Sequence, residues 1–279
     1  KPVAAPKLTG TFPSPEYVGA VANQNLHGDG VIDMVIIIPE SRKLREQAVR
    51  LQRFHEQQDG LRVKIVAADE LYNEFSSGTP DASAYKRYLK MLYDRASTVR
   101  EQPRYLLLMG DGLWDNRMLT SDGRQKSPAD HLLCYESENS FNSIKCYVTD
   151  DFYTLLDDGE ELTTADGENS YGKPDLAVGR MPVTTPEEAG VMVDKTINYV
   201  NNQNAGAWQN TLMFMGDDGT HNVHMEQADE VAEETLKAYP GFVVKKVMWD
   251  AYERVASSTE KTYPDVARII KQQQQNGAL

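Results

Sequence analysis

The chain has 279 residues, of which 40% are hydrophobic and 25% are charged, which is enough for a substantial buried core in one large or two ordinary domains. Its 42 acidic and 29 basic residues give a net charge of −13. This charge opposes binding to a phosphate backbone, so we expect no nucleic-acid partner. No apolar run approaches the roughly 20 residues of a transmembrane helix, so we expect no membrane span in this sequence.

Two cysteines, Cys134 and Cys146, are too few for a disulfide framework or a zinc site. We expect buried or unreactive thiols, with a single disulfide as the alternative. The sequence starts at Lys1 without a methionine or a signal peptide, and it stops at 277–279, which we interpret as the opening of another strand. These features indicate a piece of a longer protein.

The first 30 residues contain four prolines and no hydrophobic periodicity, which indicates an extended connector. Strands and helices alternate from residue 31 onward. The predicted elements are a strand at 32–39, a helix at 41–58, a strand at 61–67, a short helix at 68–75, a longer helix capped by Thr79-Pro80-Asp81, and a strand at 105–112. This alternation predicts an α/β fold with a mostly parallel sheet covered on both faces.

An irregular, polar segment at 113–145 indicates a boundary between two subdomains near residue 140. The alternation then resumes. The predicted elements are strands at 146–156 and 175–183, a helix opened by a capping box of Thr185 and Glu188, a strand at 211–216, a helix ending near Ala238, a strand at 242–249 and a helix at 264–275. We therefore predict a connector at 1–30, subdomain A at 31–140 and subdomain B at 141–279.

The end of the strand at 211–216 carries a cluster of ionisable side chains. Four of them follow Gly216 within eight residues: Asp217, Asp218, His221 and His224. Ligands of α/β sheets bind outside the carboxyl ends of the strands, so these carboxylates and imidazoles are expected to converge there. A similar strand and turn, LLLMGDG at 106–112, occurs in the first half, where ordinary turn chemistry accounts for the Gly-Asp-Gly.

Three chemistries could use the cluster at 217–224. A metal site would combine His221 and His224 with one of the aspartates, although no HExxH or CxxC motif supports it. Phosphoryl transfer on an aspartate lacks the DxDxT pattern and a glycine-rich phosphate loop. Nucleophilic hydrolysis would use Asp218 to orient a histidine, with the nucleophile outside these residues.

Seven segments resemble a known family. They are DMVIIIP (33–39), FHEQQDGLRVKIV (54–66), LYNEFSSGTPDASAYKRYLKMLYDRA (71–96), YLLLMGDGLWDNR (105–117), YVTDDFYTLL (147–156), DLAVGRMPV (175–183) and LMFMGDDG (212–219). They resemble the gingipain-like cysteine peptidases of family C25. The resemblance implies a caspase-like fold of two adjacent three-layer α/β subdomains with mainly parallel sheets, and a Cys-His dyad on the second subdomain.

Within this family, the segments are most similar to the members that remove C-terminal secretion signals from type IX cargo proteins at the bacterial cell surface and act as sortases. The resemblance therefore implies protein substrates with such a signal, other type IX secretion components as partners, and no required cofactor. In the family, the catalytic histidine and cysteine lie on strands that follow this region. We therefore expect subdomain B to be truncated before them and the 279-residue chain to be inactive by itself. The alternative is a non-catalytic α/β binding or scaffold module.

One catalytic position of the family matches this sequence. In the family, the acid that contacts the catalytic histidine follows the strand that corresponds to 211–216 and lies directly before a glycine. In this sequence that position is Asp218, before Gly219. We expect Asp217, His221 and His224 to contribute to the substrate pocket. The acid that selects basic P1 residues in gingipains falls near His224 or Met225, neither of which is acidic, so a preference for Arg or Lys is not implied.

The resemblance also raises calcium binding, because gingipain-like domains hold calcium. Six acids lie within twelve residues: Asp157, Asp158, Glu160, Glu161, Asp166 and Glu168. No EF-hand spacing is present, and a solvated acidic loop is the other interpretation. Titration calorimetry with calcium distinguishes the two.

Overall fold

A computed structural model describes residues 23–137, 146–160, 162, 172–256 and 261–278. The chain divides into two compact units, Lys1–Asp194 (unit 1) and Lys195–Leu279 (unit 2). None of the helices in the described ranges is long and apolar enough to span a membrane.

Unit 1 is built on a parallel sheet. Its strands are β1 (Met34–Ile38), β2 (Val63–Ala67), β3 (Tyr105–Met109), β4 (Tyr135–Glu136), β5 (Val148–Thr149) and β6 (Ala177–Met181), and its helices are α1 (Arg45–Gln58), α2 (Ala68–Phe75), α3 (Ser83–Arg95) and α4 (Pro186–Val200), which ends in unit 2. The sheet has the order β2-β1-β3-β6, with every neighbouring pair parallel. Strands β4 and β5 form a separate antiparallel pair.

The central strand β1 is buried on both faces. Val35 and Ile37 belong to the core that also contains Tyr85 and Leu89 of α3. The alternate residues Ile36 and Ile38 point to the other face and are equally buried. A strand covered on both sides has no polar face, which is why it appears in the sequence as the uninterrupted run MVIII.

Unit 2 repeats the strand and helix alternation on a smaller scale. Its elements are the strands β7 (Thr211–Gly216), β8 (Val243–Met248), β9 (Val255–Ala256) and β10 (Lys261–Thr262) and the helices α5 (Val223–Ala238) and α6 (Pro264–Asn276). Strands β7 and β8 are parallel, whereas β9 and β10 are antiparallel. Met225 and Ala232 form the buried face of α5.

The predicted fold class is confirmed: the protein is α/β with a mainly parallel sheet. The capping box is also present, because the Glu188 amide donates to Thr185 Oγ1 over 3.2 Å and the Thr185 amide donates to Glu188 Oε2 over 3.2 Å. At α3 the capping prediction was partly wrong. The Ser83 amide at the start of the helix donates a hydrogen bond to Asp81 over 2.8 Å, so Asp81 has the role that was predicted for Thr79.

The strand predicted at 146–156 is wrong beyond its first residues. Within this segment only β5 forms a strand, and a 3-10 helix follows at Asp151–Thr154. The turn buries Tyr153 completely and lets its hydroxyl donate to the Leu133 carbonyl over 2.9 Å. It also brings Asp150 to the guanidinium of Arg180, which donates to both carboxylate oxygens at 2.7 and 2.9 Å. These tertiary contacts outweigh the local strand pattern.

Strand β6 belongs to unit 1 because it pairs with β3 along its whole length. The boundary predicted near residue 140 therefore lies inside unit 1. Whether it divides the two subdomains of the family is not tested by these units and stays a prediction. Most of the predicted connector, residues 1–22, lies outside the described residues. Its end packs on α2, where Glu74 accepts from the Leu26 amide over 2.7 Å. A strand was predicted at 277–279. Its two described residues, Gly277 and Ala278, do not belong to a strand.

A buried carboxylate joins the amino ends of three strands in unit 1. Asp33, just before β1, accepts from Arg62 Nε at 2.7 Å, from Arg62 Nη2 at 3.0 Å and from Arg104 Nη2 at 3.1 Å. Arg62 precedes β2 and Arg104 precedes β3. The side-chain hydrogen bonds from Arg62 hold the pKa of Asp33 well below its ordinary value.

We predict that Asp33→Asn lowers the free energy of unfolding by about 2–3 kcal/mol, because the charge-assisted bonds to two arginines are weakened. Urea denaturation of the chain at neutral pH measures the change. Asp194→Asn is the matched control, since the pair of Asp194 with Arg50 is solvent-exposed and worth less than about 1 kcal/mol.

The pH dependence has a defined sign. The folded-state pKa of Asp33 is depressed, so its contribution is complete above the unfolded-state pKa of about 3.9 and is lost as the pH falls through the folded-state value. The difference between wild type and Asp33→Asn should therefore be constant from neutral pH to mildly acidic pH and shrink only in stronger acid. Equal stability of the two proteins at neutral pH would contradict the role of Asp33.

Candidate active site

The end of β7 lies against the backbone of α5. A Cβ on Gly216 would lie 2.6 Å from the Met225 Cα and 2.8 Å from the His224 carbonyl oxygen, so only glycine fits. The chain must then reverse between the strand and the helix, and it does so with His221 and Asn222 in the left-handed region, at φ of 57° and 66°. This turn determines where the side chains of 217–224 point.

Asp217 pairs with the imidazole of His224. Asp217 Oδ1 lies 2.6 Å from His224 Nδ1 and also accepts from the Gly219 amide over 3.2 Å. The hydrogen bond with His224 is the main cause that lowers the pKa of Asp217. The pair is solvent-exposed, with about half of each side chain accessible.

Asp218 has different partners. The Tyr263 hydroxyl donates to Asp218 Oδ2 over 2.6 Å, and Arg254 Nη1 lies 3.7 Å from the same oxygen. The Tyr263 ring packs against Trp249, with the ring centroids 5.2 Å apart. The side chain of Asp218 is 34% exposed, so it stays accessible at the carboxyl end of β7.

The hydrogen bond to Asp218 raises the pKa of Tyr263, because the phenolate would lie next to a carboxylate. Arg254 opposes this shift. The two adjacent aspartates therefore have different partners. Asp217 pairs with an imidazole, and Asp218 lies next to a phenol and a guanidinium.

A depression of about 310 Å³ lies beside this turn. Its lining residues are Met215, Gly216, Asp217, His224, Trp249 and Ile270. Two of the residues predicted for a substrate pocket, Asp217 and His224, line it. The exposed His221 and the Tyr263-bonded Asp218 are not among the lining residues. The role of all four residues in catalysis or substrate binding stays a prediction.

Within the described ranges, no group of three or more His, Cys, Asp or Glu side chains is placed to hold a metal ion. Of the acidic stretch proposed for calcium, Glu161, Asp166 and Glu168 lie outside the described residues. Asp157 accepts from the Tyr93 hydroxyl over 2.9 Å and Asp158 pairs with Lys90 at 3.0 Å. Calcium binding stays a prediction.

Both cysteines are free thiols, so the alternative of a disulfide between them is not formed. Cys134 is buried, and burial raises the pKa of its thiol. Its Sγ would lie 2.3 Å from a Cβ on Gly112, in the turn after β3. A buried thiol with a raised pKa is a poor nucleophile. Cys146 is exposed.

Sequence reasoning missed Tyr263, Arg254 and Trp249, which complete the surroundings of the two aspartates. They lie 31 to 46 positions farther along the chain, in the segments that follow β8 and precede α6. No spacing rule connects them to residues 217 and 218. The pairing of β7 with β8 brings these segments to the same edge.

The model of peptidase family C25 matches residues 27–279. The crystal structure of dimeric latent PorU from Porphyromonas gingivalis is 39% identical, with a TM-score of 0.60, over 70% of this chain and 18% of that chain. The chain therefore spans less than a fifth of the PorU chain that it matches. A solved structure described as "Structure of Protease" is 16% identical, with a TM-score of 0.45, over 70% of this chain and 35% of that chain. No curated protein sequence matches significantly.

We predict that Asp218→Asn moves the pKa of Tyr263 back toward the ordinary tyrosine value of about 10, because the neutral amide no longer opposes the phenolate. Asp217→Asn is the matched control and should leave Tyr263 unchanged. The measurement is a pH titration followed by NMR of tyrosine ring carbons. An equal shift in both variants would show that the pairing of Tyr263 with Asp218 is misassigned.

Proposed function

Because the chain belongs to peptidase family C25, we propose that it is part of a larger cysteine endopeptidase and transpeptidase that removes C-terminal secretion signals from type IX cargo proteins. The observation that supports this most strongly is the 39% identity to PorU over 70% of the chain. The protein would act at the bacterial cell surface, on cargo proteins and together with other type IX secretion components.

In this proposal Asp218 is the acid that contacts the catalytic histidine of the intact peptidase. The carboxylate is suited to that role because it is partly exposed at the carboxyl end of a strand. Tyr263 and Arg254 both approach Oδ2. Among the described residues, no group bonds to Asp218 Oδ1. The lone pairs of this oxygen are therefore open to an incoming imidazole N–H.

A carboxylate in this position has two effects on a cysteine peptidase. It accepts a hydrogen bond from one ring nitrogen of the histidine, which fixes the tautomer and the ring orientation. Its negative charge also favours the imidazolium, which in turn stabilises the cysteine thiolate that attacks the scissile carbonyl. The acyl-enzyme would then be released by water in hydrolysis or by an amine in transpeptidation.

Tyr263 has a positioning role in this scheme. Its hydroxyl donates to Asp218 Oδ2 and holds the carboxylate plane in one orientation. The ring is itself held by Trp249. A fixed carboxylate loses less side-chain entropy when it orients the histidine, which is the general benefit of preorganised catalytic groups.

The 279-residue polypeptide should have no peptidase activity by itself. Formation of an acyl-enzyme needs a thiolate next to a histidine, and the thiol of Cys134 is buried with a raised pKa. A peptide library and a cargo protein that carries its C-terminal signal serve as substrates. Turnover that is sensitive to thiol reagents and lost in Cys134→Ala or Cys146→Ala would show that one of these residues is the nucleophile.

In the larger peptidase, Asp218→Asn should lower kcat/KM on a cargo substrate by about tenfold to a hundredfold, because the histidine loses its charged partner. Asp217→Asn is the matched control and should have a much smaller effect. Circular dichroism and the melting temperature of both variants check that folding is intact.

Equal effects of the two substitutions, or a larger effect of Asp217→Asn, would contradict the assignment of Asp218. A larger protein with no thiol-sensitive cleavage of any cargo protein would instead support a binding or scaffold module of a secretion or surface complex.

A further inference from the structure

Strand β2 forms one edge of the unit-1 sheet, and in the described ranges no strand pairs with its outer side. Successive residues of a parallel strand direct their main-chain groups to opposite sides, so only every second residue of β2 bonds to β1. The carbonyl of Arg62, just before β2, accepts from the Met34 amide over 3.2 Å, which assigns the even-numbered positions to the β1 side. Val63, Ile65 and Ala67 therefore direct their N–H and C=O groups outward.

The protein covers two parts of this outer edge with its own side chains. Gln52 of α1 donates from Nε2 to the Val63 carbonyl over 2.8 Å, and the Ala67 amide donates to Glu70 Oε2 of α2 over 2.8 Å. Ile65 lies between these contacts. Across the part of the chain that the structure describes, no group bonds to its outward N–H or C=O. One main-chain donor and one main-chain acceptor are therefore open, as at a strand edge that can accept a further strand.

This open edge lies in a groove of about 420 Å³, here called the β2 groove. Its surface is mainly polar, which disfavours an apolar ligand. The groove is lined by Lys64 and Ile65 of β2, Arg45 and Gln52 of α1, Glu70 of α2 and the segment 23–26.

The segment 23–26 is a fixed wall of the β2 groove. Gln24 Nε2 donates to the Glu70 carbonyl over 2.6 Å and to Glu74 Oε1 over 2.9 Å. The Leu26 amide donates to the same oxygen of Glu74. These bonds hold the wall in place before any ligand enters, which lowers the entropic cost of binding.

The charges of the lining restrict the ligand further. Lys64 Nζ is paired with Asp29 at 2.8 Å, and the Glu70 carboxylate caps α2. The side chain of Arg45 has no hydrogen bond or ion pair with any described residue. A carboxylate on the ligand would provide a partner for this guanidinium.

From this geometry we propose that the β2 groove binds an extended, acidic peptide segment of another protein, which adds to β2 as a further strand. Main-chain bonds to a sheet edge provide affinity in this mode of recognition, and side chains provide specificity. A residue directly opposite Ile65 in an antiparallel pair would exchange both bonds with it. The contacts of Gln52 and Glu70 limit the open edge to Val63–Ala67, about 13 Å, so the groove holds about four residues of the peptide.

Other occupants match the β2 groove less well. A free anion would pair with Arg45 but would also bring negative charge close to the Ile65 carbonyl oxygen. A second copy of this chain would have to approach with its own β2 edge, which is recessed in the same way. Ile65 is half-buried, whereas Asn23, Asn25 and Arg45 of the lining are exposed. Two recessed edges do not meet, but a single peptide strand can enter.

The test is an NMR titration of the isotope-labelled 279-residue chain with the peptide acetyl-Val-Glu-Val-Glu-amide. We expect saturable shifts of the Ile65 amide and carbonyl signals. The same peptide with all four backbone nitrogens of its residues methylated keeps its charge but loses the donors for the Ile65 carbonyl. It should bind at least about tenfold more weakly, as expected for the loss of a hydrogen bond worth roughly 1.4 kcal/mol.

Two variants test the groove itself. Arg45→Gln should weaken binding by about threefold, the scale of an exposed ion pair. Arg53→Gln is the matched control, because Arg53 is an exposed arginine of the same helix outside the groove, and it should leave the affinity unchanged. Ile65→Pro removes the outward N–H, which a strand edge tolerates, and should abolish binding. Circular dichroism and the melting temperature check its folding, and the methylated peptide provides the same test without a substitution.

Four results would each overturn the proposal. They are unchanged Ile65 signals with the peptide, equal affinity for the methylated peptide, equal effects of Arg45→Gln and Arg53→Gln, and binding of sodium glutamate as tight as that of the peptide. Shifts at Ile65 that grow with protein concentration in the absence of peptide would identify a second copy as the occupant and would also overturn it. Because the readout is binding, the result does not depend on peptidase activity.

Discussion

The close approach of Gly216 to the backbone of α5 constrains the turn between β7 and α5. A side chain at residue 216 would overlap the Met225 backbone, so the strand must end in glycine and the helix must start almost beside it. The chain between them reverses through two residues in the left-handed region, His221 and Asn222. This tight reversal places Asp217 beside His224 and turns Asp218 toward Tyr263.

Buried or half-buried charges have the corresponding role in unit 1. Asp33 holds the amino ends of three strands through Arg62 and Arg104. Toward the other end of the sheet, Arg180 of β6 pairs with Asp150 and donates to the carbonyls of Gly110 and Leu133 at 3.1 and 3.2 Å. Burying a charge is costly unless its hydrogen bonds are complete. Asp33 and Arg180 therefore each need all of these partners, and the bonds hold the segments around the sheet in place.

Much of the fold could be predicted from the sequence, because most elements are encoded locally. The apolar run of β1, the boundaries of α2 and the capping box of α4 each depend on residues a few positions apart. The segment at 146–156 failed because its structure depends on distant groups. Tyr153 bonds to Leu133 and Asp150 to Arg180, so the local alternation of apolar residues gives way to a 3-10 turn.

The candidate site shows the same limit. The cluster of acids and imidazoles at 217–224 was visible in the sequence, and the position of Asp218 at a strand end followed from the apolar run before it. Of the four side chains expected to converge, Asp217 meets His224, Asp218 bonds to Tyr263, and His221 is exposed. The direction of each side chain depends on backbone torsions in the turn, and Tyr263 reaches Asp218 only through the tertiary fold.

The most direct test of the account is an experimental structure of the larger C25 peptidase that contains this region. It should place the Asp218 carboxylate within about 2.6–3.2 Å of a ring nitrogen of the catalytic histidine, the distance of a hydrogen bond. Tyr263 should remain bonded to the other carboxylate oxygen. A catalytic histidine bonded to Asp217, or one with no contact to either aspartate, would contradict the account.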